Sequence, residues 1–196
     1  GTSEFTKVAQ TVQQMKDVSD MILLDTILSQ QDRIGNIHYK LYWNYLDPQS
    51  PGTIQKKKSS AKVVDGKIVI PLEEQQQWSG KTAVLLKEML LKDNDCGIIK
   101  ENKMRKHSVL EKVRHMSYTT YRNFMQFQKS VLNNSARAYF LNELLFTVND
   151  YERIYDNTQR ARDILLARCR SGLLRFDIDL ENYIPGAYPG PRACEI

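Results

Sequence analysis

Apolar residues recur at helical spacing over most of this chain, most regularly in its C-terminal third. Leu141, Leu144, Val148, Tyr151, Tyr155, Thr158, Arg162, Leu165 and Cys169 follow one another by three or four positions, and only Arg162 departs from apolar or small character. One stripe cannot bury itself, so this interaction seam calls for a partner helix. A second seam, Leu110, Val113, Phe124, Phe127 and Val131, predicts a helix from about Lys103 to Leu132, weakened in its middle by Ser117 and Thr120. Asn133-Asn134-Ser135 is a tight connection between the two and Ser171-Gly172 a helix stop. Residues 103–171 are therefore expected to form a long antiparallel helical hairpin, coiled-coil-like, and a helix of ~35 residues would reach ~50 Å.

Upstream, Val8, Val12, Met15, Ile27, Ile34, Leu41 and Tyr45 predict helix over residues 6–46, interrupted at most by Gly35 and ended by Asp47-Pro48. Val63-Val64 and Ile68-Val69 flank Asp65-Gly66, the pairing that a type I′ turn demands, so 61–70 predicts a β-hairpin. Val84, Leu85, Met89 and Leu90 predict a further helix from Lys81 to Lys92, and Asp93-Asn94-Asp95-Cys96-Gly97 a turn. Leu174 to Glu181 alternates apolar and charged residues, as a third strand added to the hairpin would, with continued helix as the rival.

The fold expected is thus mainly α, with an N-terminal helix and a small β element beside the hairpin. Residues 1–5 read as a cloning remnant, 6–184 as one domain, and 185–196, with Pro185, Pro189 and Pro191, as an extended tail. No internal repeat occurs at periods of about 20–50 residues.

Composition narrows the function classes only a little. At 196 residues and 41% apolar content the chain can bury a sizeable core. Cys96, Cys169 and Cys194 are odd in number and widely spaced, with no Cys-x-x-Cys, which predicts neither a zinc site nor disulfides and favours an intracellular (cytoplasmic or nuclear) setting. No apolar run approaches a membrane span. The net charge of +5 comes from largely interleaved residues. Its densest stretches are Lys100, Lys103, Arg105, Lys106, Lys112 and Arg114, then Arg160, Arg162, Arg168, Arg170 and Arg175. Solvated helix faces are the reading favoured over a nucleic-acid or anionic-lipid footprint, because no groove-reading motif accompanies the charge.

Catalytic signatures are wanting. Ser79-Gly80-Lys81-Thr82 resembles the end of a phosphate-binding loop, but Gln75 stands where the motif needs its first glycine. His107 and His115 lie eight residues apart, off the spacing of a helical metal pair, and His38 is isolated. No cofactor or metal ligand set is predicted. Tyr39, Tyr42, Trp43 and Tyr45 are read equally as interface aromatics or as a packing anchor. The expected function is a non-catalytic helical assembly or scaffold module, paired with itself or another helical chain. The alternative is a basic module for nucleic acid or an anionic membrane surface.

Overall fold

Backbone hydrogen bonds pair three strands across the middle of the first hundred residues, two of them where helix was expected. The computed structural model describes residues 4–30, 33, 35–49, 52–92, 107–183 and 192–196. Within them the chain is a mixed α/β fold of six helices and a small antiparallel sheet, which corrects the mainly helical, coiled-coil-like reading. Helix α1 spans Glu4–Leu28. Strands β1 (Ile37–Leu46), β2 (Ile54–Lys58) and β5 (Ala83–Leu91) form a sheet in the order β2-β1-β5. Between them lie β3 (Lys62–Val64), β4 (Lys67–Val69) and α2 (Leu72–Trp78). Helices α3 (His107–Leu110), α4 (Tyr118–Val131), α5 (Asn134–Asn142) and α6 (Val148–Arg170) follow, then a 3-10 turn at Leu180–Tyr183.

The helix expected over 6–46 ends at Leu28. Beyond the positive φ of Gly35, Ile37, Tyr39, Leu41, Trp43 and Tyr45 alternate down one face of β1, and branched and aromatic side chains suit a pleated surface. The helix expected over 81–92 is β5, fully paired with β1 from Ala83 to Leu91. Its nearly unbroken apolar run fits a strand covered from more than one side. Helix α1 supplies that cover. Gln10 donates from Nε2 to the Lys87 carbonyl and accepts from the Lys87 N–H, both at 2.8 Å, and Asp17 accepts from the Met89 N–H at 2.9 Å. Side chains of one helix thus close the outer edge of β5, which would otherwise be open to another chain. The opposite edge, β2, is guarded by exposed Lys56, Lys57 and Lys58. Asp65 and Gly66 both take positive φ between β3 and β4, whose Val63, Val64, Ile68 and Val69 are all exposed.

The expected hairpin over 103–171 is shorter and divided. Helix α4 begins only at its Ser117 cap, where the Ser117 hydroxyl accepts from the Thr120 N–H. Asn133 caps α5 in the same way. A new start follows at Thr147, whose hydroxyl accepts from the Asp150 N–H while the Asp150 carboxylate accepts from the Thr147 N–H. Helix α6 ends in a Schellman motif, with Leu173 N–H on the Arg168 carbonyl and Gly172 at positive φ. Contacts of Val131 with Tyr151 and Gln128 with Gln159 set α4 antiparallel to α6. The core gathers Leu110, Met116, Tyr121, Ile154, Ala161 and Leu165 from three of these helices and the loop after α3, with Leu23 and Ile27 of α1.

Leu174, Phe176 and Ile178 are buried in alternation, yet among the described residues no third strand joins the 61–70 hairpin. The segment runs extended against 114–116, tied by Arg175 N–H to the Arg114 carbonyl and Met116 N–H to the Arg175 carbonyl. Cys169 and Cys194 form a disulfide, which corrects the expectation that the cysteines stay unpaired and removes the ground for a reducing compartment. It pins residues 192–196 beside Tyr121, whose hydroxyl donates to the Cys194 carbonyl. The loop it closes spans 25 residues, so chain-entropy arguments assign it about 3 kcal/mol. Cys194→Ser should lower the unfolding free energy in urea by that amount, and a change under about 1 kcal/mol would mean the bond constrains little. Among the described residues no helix is long and apolar enough to cross a membrane. Ile34, the turn at Asp93-Asn94-Asp95-Cys96-Gly97, Lys100, Lys103, Arg105, Lys106, and the prolines at 185, 189 and 191 lie outside the described residues.

Candidate functional site

The second half of α1 leaves part of its apolar stripe uncovered. Leu23, Leu24, Ile27 and Leu28 form one wall of an open groove of about 570 Å³. Phe124 and Phe127 of α4 form the other, and Phe140, Leu144 and Phe146 close the end. The connection from α5 to α6 builds that end. Leu144 N–H bonds the Tyr139 carbonyl and Phe146 N–H the Phe140 carbonyl, which turns Phe146 onto Phe140 at 5.7 Å between ring centroids. Between them Leu145 adopts φ 56° and is 81% exposed. A bulky residue at positive φ is a conformational outlier, costing on the order of 1 kcal/mol. Leu132, Tyr139 and Val148 stand exposed on the same helical end.

Asp20 sits at the other end of the groove. Burial pushes its carboxyl up to about 6, against the opposing hydrogen bond with Thr120 and the attraction of Lys16. Its Oδ1 has no hydrogen-bond partner among the described residues. A carboxyl raised from 3.8 to about 6 favours the folded state most below the unfolded value, and that contribution is lost as pH rises through 6. Asp20→Asn should therefore raise stability at pH 7 by on the order of 2 kcal/mol and flatten its decline between about pH 4 and 6. Urea midpoints across that range, unchanged by the substitution, would contradict this.

The seam residues separate. Tyr151, Thr158, Leu165 and Cys169 are buried within the chain, Leu141, Tyr155 and Arg162 are half-buried, and Leu144 and Val148 are exposed. The buried line on α6 runs instead through Tyr151, Ile154, Thr158, Ala161, Leu165 and Cys169. Arg162 lies beside it and bonds Asp163 at 2.8 Å. Ile154 and Ala161 were missed because both lines obey 3-4 spacing.

The aromatics stand on β1, not on a helix. Trp43 stacks on Trp78 at 5.2 Å, Tyr45 packs on the same ring at 4.9 Å, and Tyr39 is half-exposed beneath Lys87. Tyr42 faces the opposite side of the sheet. Three of the four therefore share a face, and Trp43 and Tyr45 dock α2 onto it. Glu74 completes that docking by accepting from Trp43 Nε1, Ser59 Oγ, Ser60 Oγ and the Ser60 N–H. Desolvation raises its pKa, but these donors together hold it at about 2.

The remaining candidates fall to local structure. Ser79 caps the end of α2, and Gly80 turns the chain toward β5, so Ser79 to Thr82 cradles no helix N-terminus. His115 bonds Asp177 at 2.8 Å, His107 is buried near the Asn157 carbonyl, and His38 is exposed on β1. No group of three potential metal ligands occurs among the described residues. Of the second basic stretch, Arg168 bonds the Val113 carbonyl and Arg170 bonds Glu195. Comparison with known protein families, curated proteins and solved structures gives no match to this chain.

Proposed function

We propose that this protein is a non-catalytic assembly module that pairs with a second copy of itself through the helical end formed by α1, α4 and the α5–α6 connection. The observation that carries the reading is Leu145, a leucine held out into solvent at a strained φ beside an apolar groove. The knob and the hole lie on one surface, which is the arrangement an isologous two-fold contact requires. Exposed Leu132, Tyr139 and Val148 extend the patch, and contiguous apolar surface of this kind marks interaction sites. The contact remains helix on helix, although the chain's own seam on α6 is spent inside the fold.

The nucleic-acid or anionic-lipid reading has less behind it, because Arg162, Arg168 and Arg170 already have partners within the chain. Two measurements test the assembly reading. Amide hydrogen exchange should slow at 20–28 and 139–148 as protein concentration rises, and not at β3 and β4. Leu145→Gly should stabilise the monomer by about 1 kcal/mol, by releasing the positive φ, while weakening self-association. Concentration-independent exchange at the helical end would overturn the proposal.

A further inference from the structure

The groove between α1 and α4 has a carboxyl in its wall, and whatever fills the groove changes the surroundings of that charge. Among the described residues that line it, only Asp20 can ionise. Thr120 and Asn123 of α4 are its polar neighbours there, while α5, α6 and the connection between them bring Phe140, Leu144, Phe146 and Ile154. The surroundings do little to hold a negative charge on Asp20. Thr120 gives it one hydrogen bond and Lys16 attracts it, but Asp17 and Asp179 repel it. Lys16 is itself shared with Asp179 at 3.7 Å, and Asp17 is turned to the sheet, where it accepts from the Met89 N–H.

Asp20 is half-buried, and water in the open groove still lies beside it. A second copy seated there would replace that water with hydrocarbon. The carboxyl need not touch the partner for this to matter, because a lower local dielectric by itself disfavours the charged form. Burial already raises the carboxyl to about 6, so a further rise falls in the neutral range. We propose that pairing of two copies through this groove takes up a proton from solvent at Asp20 of each copy, so that the assembly is firm at mildly acidic pH and loosened by ionisation of Asp20 above it. The inference rests on the self-pairing proposed above and adds its regulation. The sign follows from which form pairing favours. Affinity is full below about pH 6 and is lost as pH rises through the higher value that Asp20 takes in the dimer.

Sedimentation velocity on the whole chain, over a concentration series at about pH 5 and at about pH 7.5, reads the effect. The dimer dissociation constant of the parent should rise roughly tenfold to a hundredfold between the two, since a carboxyl in each copy must be kept neutral. Asp20→Asn is neutral at both and should keep, at about pH 7.5, the affinity that the parent shows at about pH 5. Dilution calorimetry of the parent at about pH 6.5, in two buffers of different ionisation enthalpy, should report uptake of up to about one proton per copy on pairing. A pH dependence that survives in Asp20→Asn would assign the proton to another group and overturn the proposal. Equal affinity of the parent at both pH values would overturn it while leaving the pairing intact. A chain monomeric at both would overturn pairing and proton coupling together.

Discussion

Asp25→Ala should destabilise the protein by about 3–5 kcal/mol, the largest single loss expected outside the apolar core. Asp25 and Arg33 are both buried, at the end of α1 and just before β1, and the Arg33 guanidinium bonds the Asp25 carboxylate through Nε and Nη2. Nη1 also reaches the Lys92 carbonyl at 3.4 Å, so one side chain ties helix, loop and the end of β5 together. Removing the carboxylate takes away the two-point acceptor of a buried guanidinium that cannot lose its proton. The loss comes from the desolvated guanidinium deprived of this acceptor more than from the pair itself. A double replacement, Asp25→Leu with Arg33→Met, should therefore recover most of the stability, since apolar groups of similar volume often match a buried ion pair. Urea unfolding of the three variants decides it. A double variant as unstable as Asp25→Ala would mean that the pair itself, and not the loss of one partner, supplies the stability.

Ile154→Ala and Leu165→Ala should each cost about 2–5 kcal/mol, as large-to-small changes in a closed core do. Ile154 is 1% exposed and Leu165 fully buried, both in the cluster with Leu110, Met116 and Tyr121. Leu144→Ala and Val148→Ala, on the exposed helical end, should change the stability of the monomer by less than about 1 kcal/mol. The contrast follows from which side of α6 faces α4 and α1. Equal losses at Leu144 and Leu165, read from thermal or urea unfolding at low protein concentration, would contradict the placement of α6.

Features set by neighbours in sequence could be read from the chain, and features set by distant partners could not. Asp65-Gly66 specifies its turn locally, as does Gly172 at the end of α6. Thr147 and Asp150 carry an equally local start signal, a capping box, that the long 3-4 pattern across Leu141 to Val148 concealed. The sequence Ile37 to Leu46 holds a period of two in its aromatic and branched residues. A coincidental spacing of Ile27, Ile34 and Leu41 by seven outweighed it. Strand β5 had no local mark at all. Ala83 to Leu91 is rich in leucine, with methionine, lysine and glutamate, residues at home in helices, and it is a strand because β1 pairs with it and α1 covers it. The disulfide joins cysteines whose spacing carries no signature. Of the candidate site, Leu144 and Phe127 lay on predicted seams, whereas the groove exists only because α1 meets the α5–α6 connection.

The central claim is that the helical end is self-complementary, and sedimentation velocity over a concentration series tests it most directly. The parent chain should pass from monomer to dimer as concentration rises. Leu145→Glu should remain monomeric throughout while unfolding within about 0.5 kcal/mol of the parent, since the residue is 81% exposed. A parent that stays monomeric at every concentration, or a Leu145→Glu variant that dimerises as well as the parent, would contradict the account.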